Sequence, residues 1–124
     1  MKSLIVALAA ASLGAVSPLA LAHGDTKPMH GGIVQVVADM HYELVPLKDG
    51  AALFVIDHGK PVDATKMSGK LTVLNGTRKS EAELRPAGGN KLEAGSVTLA
   101  PGAKVVASLR AADGKAKTVR FTVN

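Results

Sequence analysis

Hydrophobic and polar residues alternate with a period of two along much of this chain. Near the C-terminus, positions 119, 121 and 123 are apolar, whereas positions 118, 120 and 122 are polar. Residues 81–85 alternate in the same way, with Ala82 and Leu84 between charged neighbours. Because successive side chains of a β-strand point to opposite faces of its sheet, both segments are predicted to be half-buried strands.

Eight short strands separated by turn-forming sequences are predicted in this way. They are Ile33–Val37, His41–Leu47, Ala51–His58, Lys70–Leu74, Glu81–Arg85, Ser96–Leu99, Lys104–Leu109 and Lys117–Val123. No segment keeps a helical period over three turns. The spacing predicts an all-β fold, an antiparallel β-sandwich of the immunoglobulin type, over residues 33–124. Its core would be Val, Leu, Ile and Ala, with Phe54 and Phe121 as the only large aromatic anchors.

The first 22 residues have the pattern of a secretory signal peptide. Lys2 provides the positive charge and Leu4–Val16 the apolar segment. Ala20-Leu21-Ala22 has the small-x-small pattern that precedes a cleavage site. The apolar segment is shorter than the roughly 20 residues that span a bilayer, so no stable membrane anchor is expected. Because no twin arginine precedes the segment, export to the periplasm through the general pathway is predicted.

Cleavage after Ala22 would leave 124 − 22 = 102 residues, which is enough for one domain. The loss of Lys2 would change the net charge from +5 to +4, and the basic residues are scattered rather than massed. Scattered charge and few aromatic residues argue against a nucleic-acid partner. Residues 23–32 are polar and contain Gly and Pro, which predicts a flexible N-terminal arm.

Histidine and methionine concentrate between residues 23 and 58. All four histidines and two of the four methionines lie there, and the chain has no cysteine. Imidazole nitrogen suits copper and zinc, and thioether sulfur suits soft ions such as Cu(I) and Ag(I). The concentration has two explanations: chance with core packing, or a metal site without thiolates, for copper first, with silver and zinc as alternatives. The candidate ligands are His23, Met29, His30, Met40, His41, Glu43 and His58.

Turn chemistry places some of these residues together. Asp49-Gly50 is a favoured two-residue hairpin loop, and it would put His41 directly opposite His58, with Cβ atoms about 4.5–5.5 Å apart. Glu43, on the same strand face as His41, would add an oxygen ligand or orient a ring. A slip of one residue would instead put Met40 opposite His58.

The arm is expected to lie apart from this hairpin. Met29 and His30 would run toward the far end of the first strand, roughly 20 Å from His41 at about 3.3 Å per residue. A separate arm site is therefore predicted from His23, Met29 and His30. After cleavage His23 would be the first residue, and its amine and ring nitrogens can together bind Cu(II).

Four short motifs within residues 29–75 carry a family resemblance. They are HGG at 30–32, HYELV at 41–45, FVIDH at 54–58 and GKPV at 59–62. The pattern resembles small periplasmic heavy-metal-resistance domains, in particular the HGG-containing N-terminal domain of heavy-metal efflux adaptor (membrane fusion) proteins. The resemblance implies a metal-binding or metal-sensing β-sandwich that uses His30, His41, Glu43 and His58, with a periplasmic efflux adaptor as a partner. The chain lacks the helical hairpin and lipoyl-like segment of a complete adaptor.

Two functions from different classes remain open. The first is a periplasmic metal-binding accessory protein that buffers or delivers copper, silver or a related ion for an efflux or resistance system. The second is a non-catalytic β-sandwich interaction module in which the histidines are incidental. The sequence contains no G-x-S-x-G motif, cysteine nucleophile or phosphate-binding loop, so an enzyme is not expected.

Overall fold

A computed structural model describes residues 27–124 of the chain. The predicted signal peptide and His23 therefore lie outside the described residues. Nine strands form within this range: β1 (Ile33–Val37), β2 (Met40–Leu47), β3 (Gly50–Asp57), β4 (Lys60–Pro61), β5 (Ser68–Asn75), β6 (Arg78–Pro86), β7 (Lys91–Gly95), β8 (Lys104–Arg110) and β9 (Ala116–Thr122). Residues 27–124 include no helix that is long and apolar enough to cross a membrane.

The strands form one continuous antiparallel sheet. They pair in the order β1-β2-β3-β7-β6-β5-β8-β9, and the short β4 pairs with β3. The sheet curls until β1 and β9, at its two edges, approach each other, so that it is nearly closed as a barrel. The all-β antiparallel prediction is confirmed, whereas the two-sheet immunoglobulin-like sandwich is not confirmed.

The core fills the inside of this curled sheet. One face of each long strand supplies it, with Leu44, Leu53 and Leu71 among the fully buried side chains. Burying one such side chain contributes roughly 1.5–3 kcal/mol relative to leaving it exposed. The alternation seen in the sequence near Phe121 is confirmed, because that ring is buried and its strand neighbours are exposed.

Phe54 does not anchor the core, so that prediction was wrong. It lies between the buried residues Leu53 and Val55 of β3 and therefore points to the outside of the sheet. The aromatic side chain that joins Phe121 in the core is Tyr42 of β2, which is 2% exposed. Every residue from 51 to 56 is apolar, so the sequence alternation could not reveal which face is buried.

One strand was predicted in the wrong place. The sequence predicts a strand over Ser96–Leu99, whereas β7 ends at Gly95. Ser96 has a positive φ of 62°, which turns the chain out of the extended conformation. Leu92 and Ala94 are the inward residues of β7, separated by a half-exposed Glu93.

The register of the β2–β3 hairpin also differs from the prediction. Leu47 pairs with Gly50, so the loop residues are Lys48 and Asp49 rather than Asp49-Gly50. His41 consequently faces Ile56 and not His58. The glycine serves a different purpose: a Cβ at position 50 would lie 2.1 Å from the carbonyl oxygen of Ala94 on β7. Gly50 thus permits a close approach between strands instead of a turn.

We expect Gly50→Ala to destabilise the fold by about 2–3 kcal/mol, since the added methyl group must push the backbone of β7 away. Gly95 is a matched control, because it pairs with Gly50 and a Cβ placed there has nothing within 4 Å. Urea unfolding midpoints of the two variants test this. Equal midpoints for Gly50→Ala and Gly95→Ala would contradict the register and packing described for this edge.

Candidate functional site

The outer face of β1, β2 and β3 gathers most of the predicted ligands. Glu43 on β2 pairs with Val34 on β1 and with Phe54 on β3, so these three side chains share the outer face. Two residues away on β2, His41 stands on the same face. This face is where the N-terminal segment, residues 27–32, meets the sheet.

Glu43 is buried although it points away from the core. Its side chain is 1% exposed because residues 29–32 cover it. The backbone N–H groups of His30 and Gly32 donate hydrogen bonds to Oε2 at 2.8 Å each. The backbone N–H of Met29 donates to Oε1 at 3.0 Å, and Nδ1 of His30 lies 2.8 Å from the same oxygen. The segment predicted to be a flexible arm is therefore fastened to the sheet over residues 29–32.

The His30 ring is fixed on two sides. Its plane lies parallel to the ring of Phe54, with centroids 3.7 Å apart and an interplanar angle of 4°. Since the ionised Glu43 carboxylate can only accept, Nδ1 of His30 must carry the hydrogen in their contact. Nε2 then keeps its electron pair when the ring is neutral. The side chain of His30 is 41% exposed, which leaves part of the ring open to solvent.

The charge on Glu43 is stabilised by its neighbours. Burial alone would raise the pKa of Glu43, but the hydrogen bonds from the His30 side chain and from the N–H groups of Gly32, His30 and Met29 lower the pKa of this carboxyl below its ordinary value. A buried carboxylate without such partners would cost several kcal/mol. The arm and the charge therefore stabilise each other.

A depression of about 390 Å³ lies beside Glu43 on this face. Its lining combines branched apolar side chains with two histidines, a methionine and two acidic residues. The lining residues are Lys27, Met29, Val34, Val36, Asp39, His41, Glu43, Ile56, His58 and Gly59. Met29 is 73% exposed beside this depression.

Two tight turns meet at the edge of the depression. Ala38 and Asp39, between β1 and β2, both have positive φ, as do His58 and Gly59 between β3 and β4. These are the φ signs of type I′ turns, which match the twist of antiparallel strands. Non-glycine residues pay for a positive φ, and such positions concentrate at functional sites. Asp39 and His58 both border the depression.

His58 also has a carboxylate partner. Its Nδ1 lies 2.5 Å from Oδ1 of Asp57, although both side chains are exposed. Two of the three described histidines thus place Nδ1 against a carboxylate. Carboxylate–histidine pairs of this kind are typical of metal-ligating histidines, because they leave Nε2 free and fix the ring.

The structure brings Met29, His41, Glu43 and His58 around one depression, with His30 bonded to Glu43. The expectation that Met29 lies roughly 20 Å from His41 is wrong, because both border this depression. Gly31, with a φ of 74°, accompanies the change of direction that lays the arm over the sheet.

Met40 is not part of this arrangement. It stands on the opposite face of β2 from His41 and packs against the core. There it borders a second cavity at the open end of the sheet, together with Met67 and Tyr42. The expectation that Met40 supports His41 and His58 is therefore wrong, and the alternation of side chains along β2 is the reason.

Residues 27–124 contain no group of three or more His, Asp or Glu side chains arranged to hold a metal ion. His23 lies outside this range, and thioether sulfur is a further type of donor in the face described above. Sequence reasoning missed Phe54 and Asp57 as partners of His30 and His58. The proximity of Asp57 to His58 in sequence was a signal for the second pairing, whereas nothing local pointed to the first.

Comparisons of the chain with protein-family models, with curated proteins and with solved structures return no match.

We expect Glu43→Gln to lower the free energy of unfolding at pH 7 by about 2–3 kcal/mol. The Gln side chain carries an NH₂ group in place of one carboxylate oxygen. This donor would face two of the four N–H groups that now donate hydrogen bonds to Glu43. Glu81→Gln is the matched control, because Glu81 also lies on a strand but is 41% exposed. Denaturant unfolding of both variants measures the difference, and equal losses would contradict the special role of Glu43.

The Glu43 carboxyl should also make the free energy of unfolding depend on pH. Because hydrogen bonds lower its pKa in the folded state, Glu43 stabilises the protein above its ordinary pKa of about 4.3. This contribution is lost as the pH falls through the folded-state value. Between pH 7 and pH 3, the free energy of unfolding should therefore decrease less steeply in Glu43→Gln than in the wild-type chain. Parallel pH curves would overturn the expectation.

Proposed function

We propose that this protein is a periplasmic metal-binding accessory protein that buffers or delivers copper, silver or a related transition metal for an efflux or resistance system. The observation that carries the proposal is the meeting of Met29, His41 and His58 around one depression, beside a His30 ring held by a buried carboxylate. These are nitrogen and thioether donors, the set that suits copper and silver in the absence of thiolates.

The orientation of the histidines supports this function. His30 and His58 each direct Nδ1 to a carboxylate, which leaves Nε2 as the nitrogen with an electron pair in the neutral ring. The His41 side chain has no hydrogen-bond partner among residues 27–124. Three imidazoles with an available nitrogen therefore lie on one side of the sheet, and none of them is buried.

The exposure of the donors suits the delivery of an ion. Met29 is 73% exposed and the His58 side chain is 76% exposed, so an acceptor's ligands could reach an ion held there. His23, a further candidate from the sequence, would precede this segment and add its nitrogen atoms. The resemblance of residues 29–75 to heavy-metal efflux adaptor domains suggests an adaptor as the partner that receives the ion. The predicted signal peptide would export the protein to the periplasm, where such adaptors act.

We expect calorimetric titration of the protein to give a dissociation constant below 1 μM, or about −8.2 kcal/mol, for Cu(II) or, under reducing conditions, for Cu(I). The double variant His41→Ala/His58→Ala should lose most of this affinity. Binding weaker than about 100 μM, roughly −5.5 kcal/mol, for Cu(I), Cu(II), Ag(I) and Zn(II) would contradict the proposal and favour the interaction module.

Methionine variants distinguish the role of sulfur. Met29→Leu should weaken Cu(I) and Ag(I) binding and leave Zn(II) binding nearly unchanged, because zinc does not prefer thioethers. Met40→Leu is the matched control, since Met40 faces the other side of β2. The same titrations measure both variants. A larger loss of Cu(I) affinity in Met40→Leu than in Met29→Leu would place the site at the other cavity.

A further inference from the structure

We propose that Glu43 is a positioning residue for this metal site: it holds Met29 and His30 in place and does not itself bind the ion. The inference rests on the proposed metal-binding function and names the residue that organises its ligands. Glu43 is the only charged side chain that is buried among residues 27–124.

The carboxylate has no acceptor capacity left for an ion. Each oxygen has two favourable acceptor directions. Oε1 already meets Met29 N at 3.0 Å and His30 Nδ1 at 2.8 Å, and Oε2 meets His30 N and Gly32 N at 2.8 Å each. With the side chain 1% exposed, an ion could bind Glu43 only by displacing the arm. The alternative role from the sequence, the orientation of a ring, is therefore the one the geometry favours.

The ring that Glu43 orients belongs to His30. Two constraints act together, because the carboxylate fixes which nitrogen carries hydrogen and the Phe54 ring, 3.7 Å away, fixes the plane. A neutral imidazole without such a partner samples both tautomers. In the neutral ring, Glu43 thus places the hydrogen on Nδ1 and leaves the electron pair of Nε2 available to an ion.

Glu43 also places Met29. The hydrogen bond from the Met29 backbone N–H holds this residue against β2, and its side chain borders the depression shared by His41 and His58. If the carboxylate were removed, residues 29–32 would lose four hydrogen bonds to the sheet. The thioether and the His30 ring would then have to be ordered at the moment of binding, which costs conformational entropy.

Two readouts on the full chain test this inference. The first is the ring ¹⁵N spectrum of His30 in the metal-free protein near pH 8, and the second is the affinity for Cu(I) and Zn(II) measured by competition with a chelator. The wild-type ring should carry its hydrogen on Nδ1. Glu43→Gln should show mixed tautomers and bind Cu(I) about 10–100-fold more weakly.

Two further variants complete the comparison: a conservative change at Glu43 and a control at an exposed carboxylate. Glu43→Asp retains the charge but is one methylene shorter, so it should reach fewer arm donors and lose less affinity than Glu43→Gln. It also carries the test if Glu43→Gln fails to fold, which the backbone amide spectrum of β5–β9 reports. Glu81→Gln removes an exposed carboxylate and should leave both readouts unchanged.

The outcomes separate the inference from the proposed function. A wild-type chain that binds no ion overturns the proposed function and the inference with it. A wild-type chain that binds, with undiminished affinity in Glu43→Gln and Glu43→Asp, overturns the positioning role alone. A His30 ring that carries its hydrogen on Nε2 in the wild-type protein overturns the positioning role whatever the affinities are.

Discussion

A single buried carboxylate determines how residues 29–32 lie on the sheet. Glu43 stands on the outer face of the sheet, where a charge would normally remain in water. Residues 29–32 exclude that water and replace it with four hydrogen bonds. Leaving one such charge without partners would cost several kcal/mol, so the arm cannot leave the sheet without exposing or protonating Glu43. The positions of Met29 and His30 follow from this constraint.

Three separate segments contribute to the face that we propose as a metal site. The sheet supplies His41 at a fixed register position, the tight β3–β4 turn supplies His58, and the arm supplies Met29 and His30. A rigid antiparallel sheet that carries functional groups on its turns and on an attached segment is a common arrangement for binding proteins. The core of the curled sheet lies on the other face and leaves this surface free for chemistry.

Local patterns in the sequence were sufficient for most of the strands. β1 is predicted residue for residue, and β2, β3, β5, β6, β8 and β9 are predicted with differences at their ends. Alternation and turn residues act over a few positions, which is why these elements could be recognised. The Ser96–Leu99 prediction failed because Ser96 has a positive φ, which ends the extended conformation just after β7. Serine has no particular preference for a positive φ, so its identity does not indicate this change.

The site was less predictable because it depends on contacts between distant residues. Gly50 looks like a turn residue, but its role is the close approach to Ala94, 44 positions further along. Because Gly50 was interpreted as a turn residue, the predicted register placed His41 opposite His58, whereas in the structure His41 pairs with Ile56. The link between His30 and Glu43 spans 13 residues. Gly31 permits the bend that this link requires, but a glycine does not specify which residue the arm will meet. Four of the residues proposed from the sequence, Met29, His41, Glu43 and His58, nevertheless border one depression.

Amide hydrogen exchange of Met29, His30 and Gly32 measures whether Glu43 fastens the arm to the sheet. Exchange measured by NMR at neutral pH on the metal-free protein reports whether each N–H is hydrogen-bonded. We expect these three amides to exchange more slowly than those of an unstructured chain, and all three to lose protection together in Glu43→Gln. Exchange of the three amides at unstructured rates in the wild-type protein would contradict this role of Glu43.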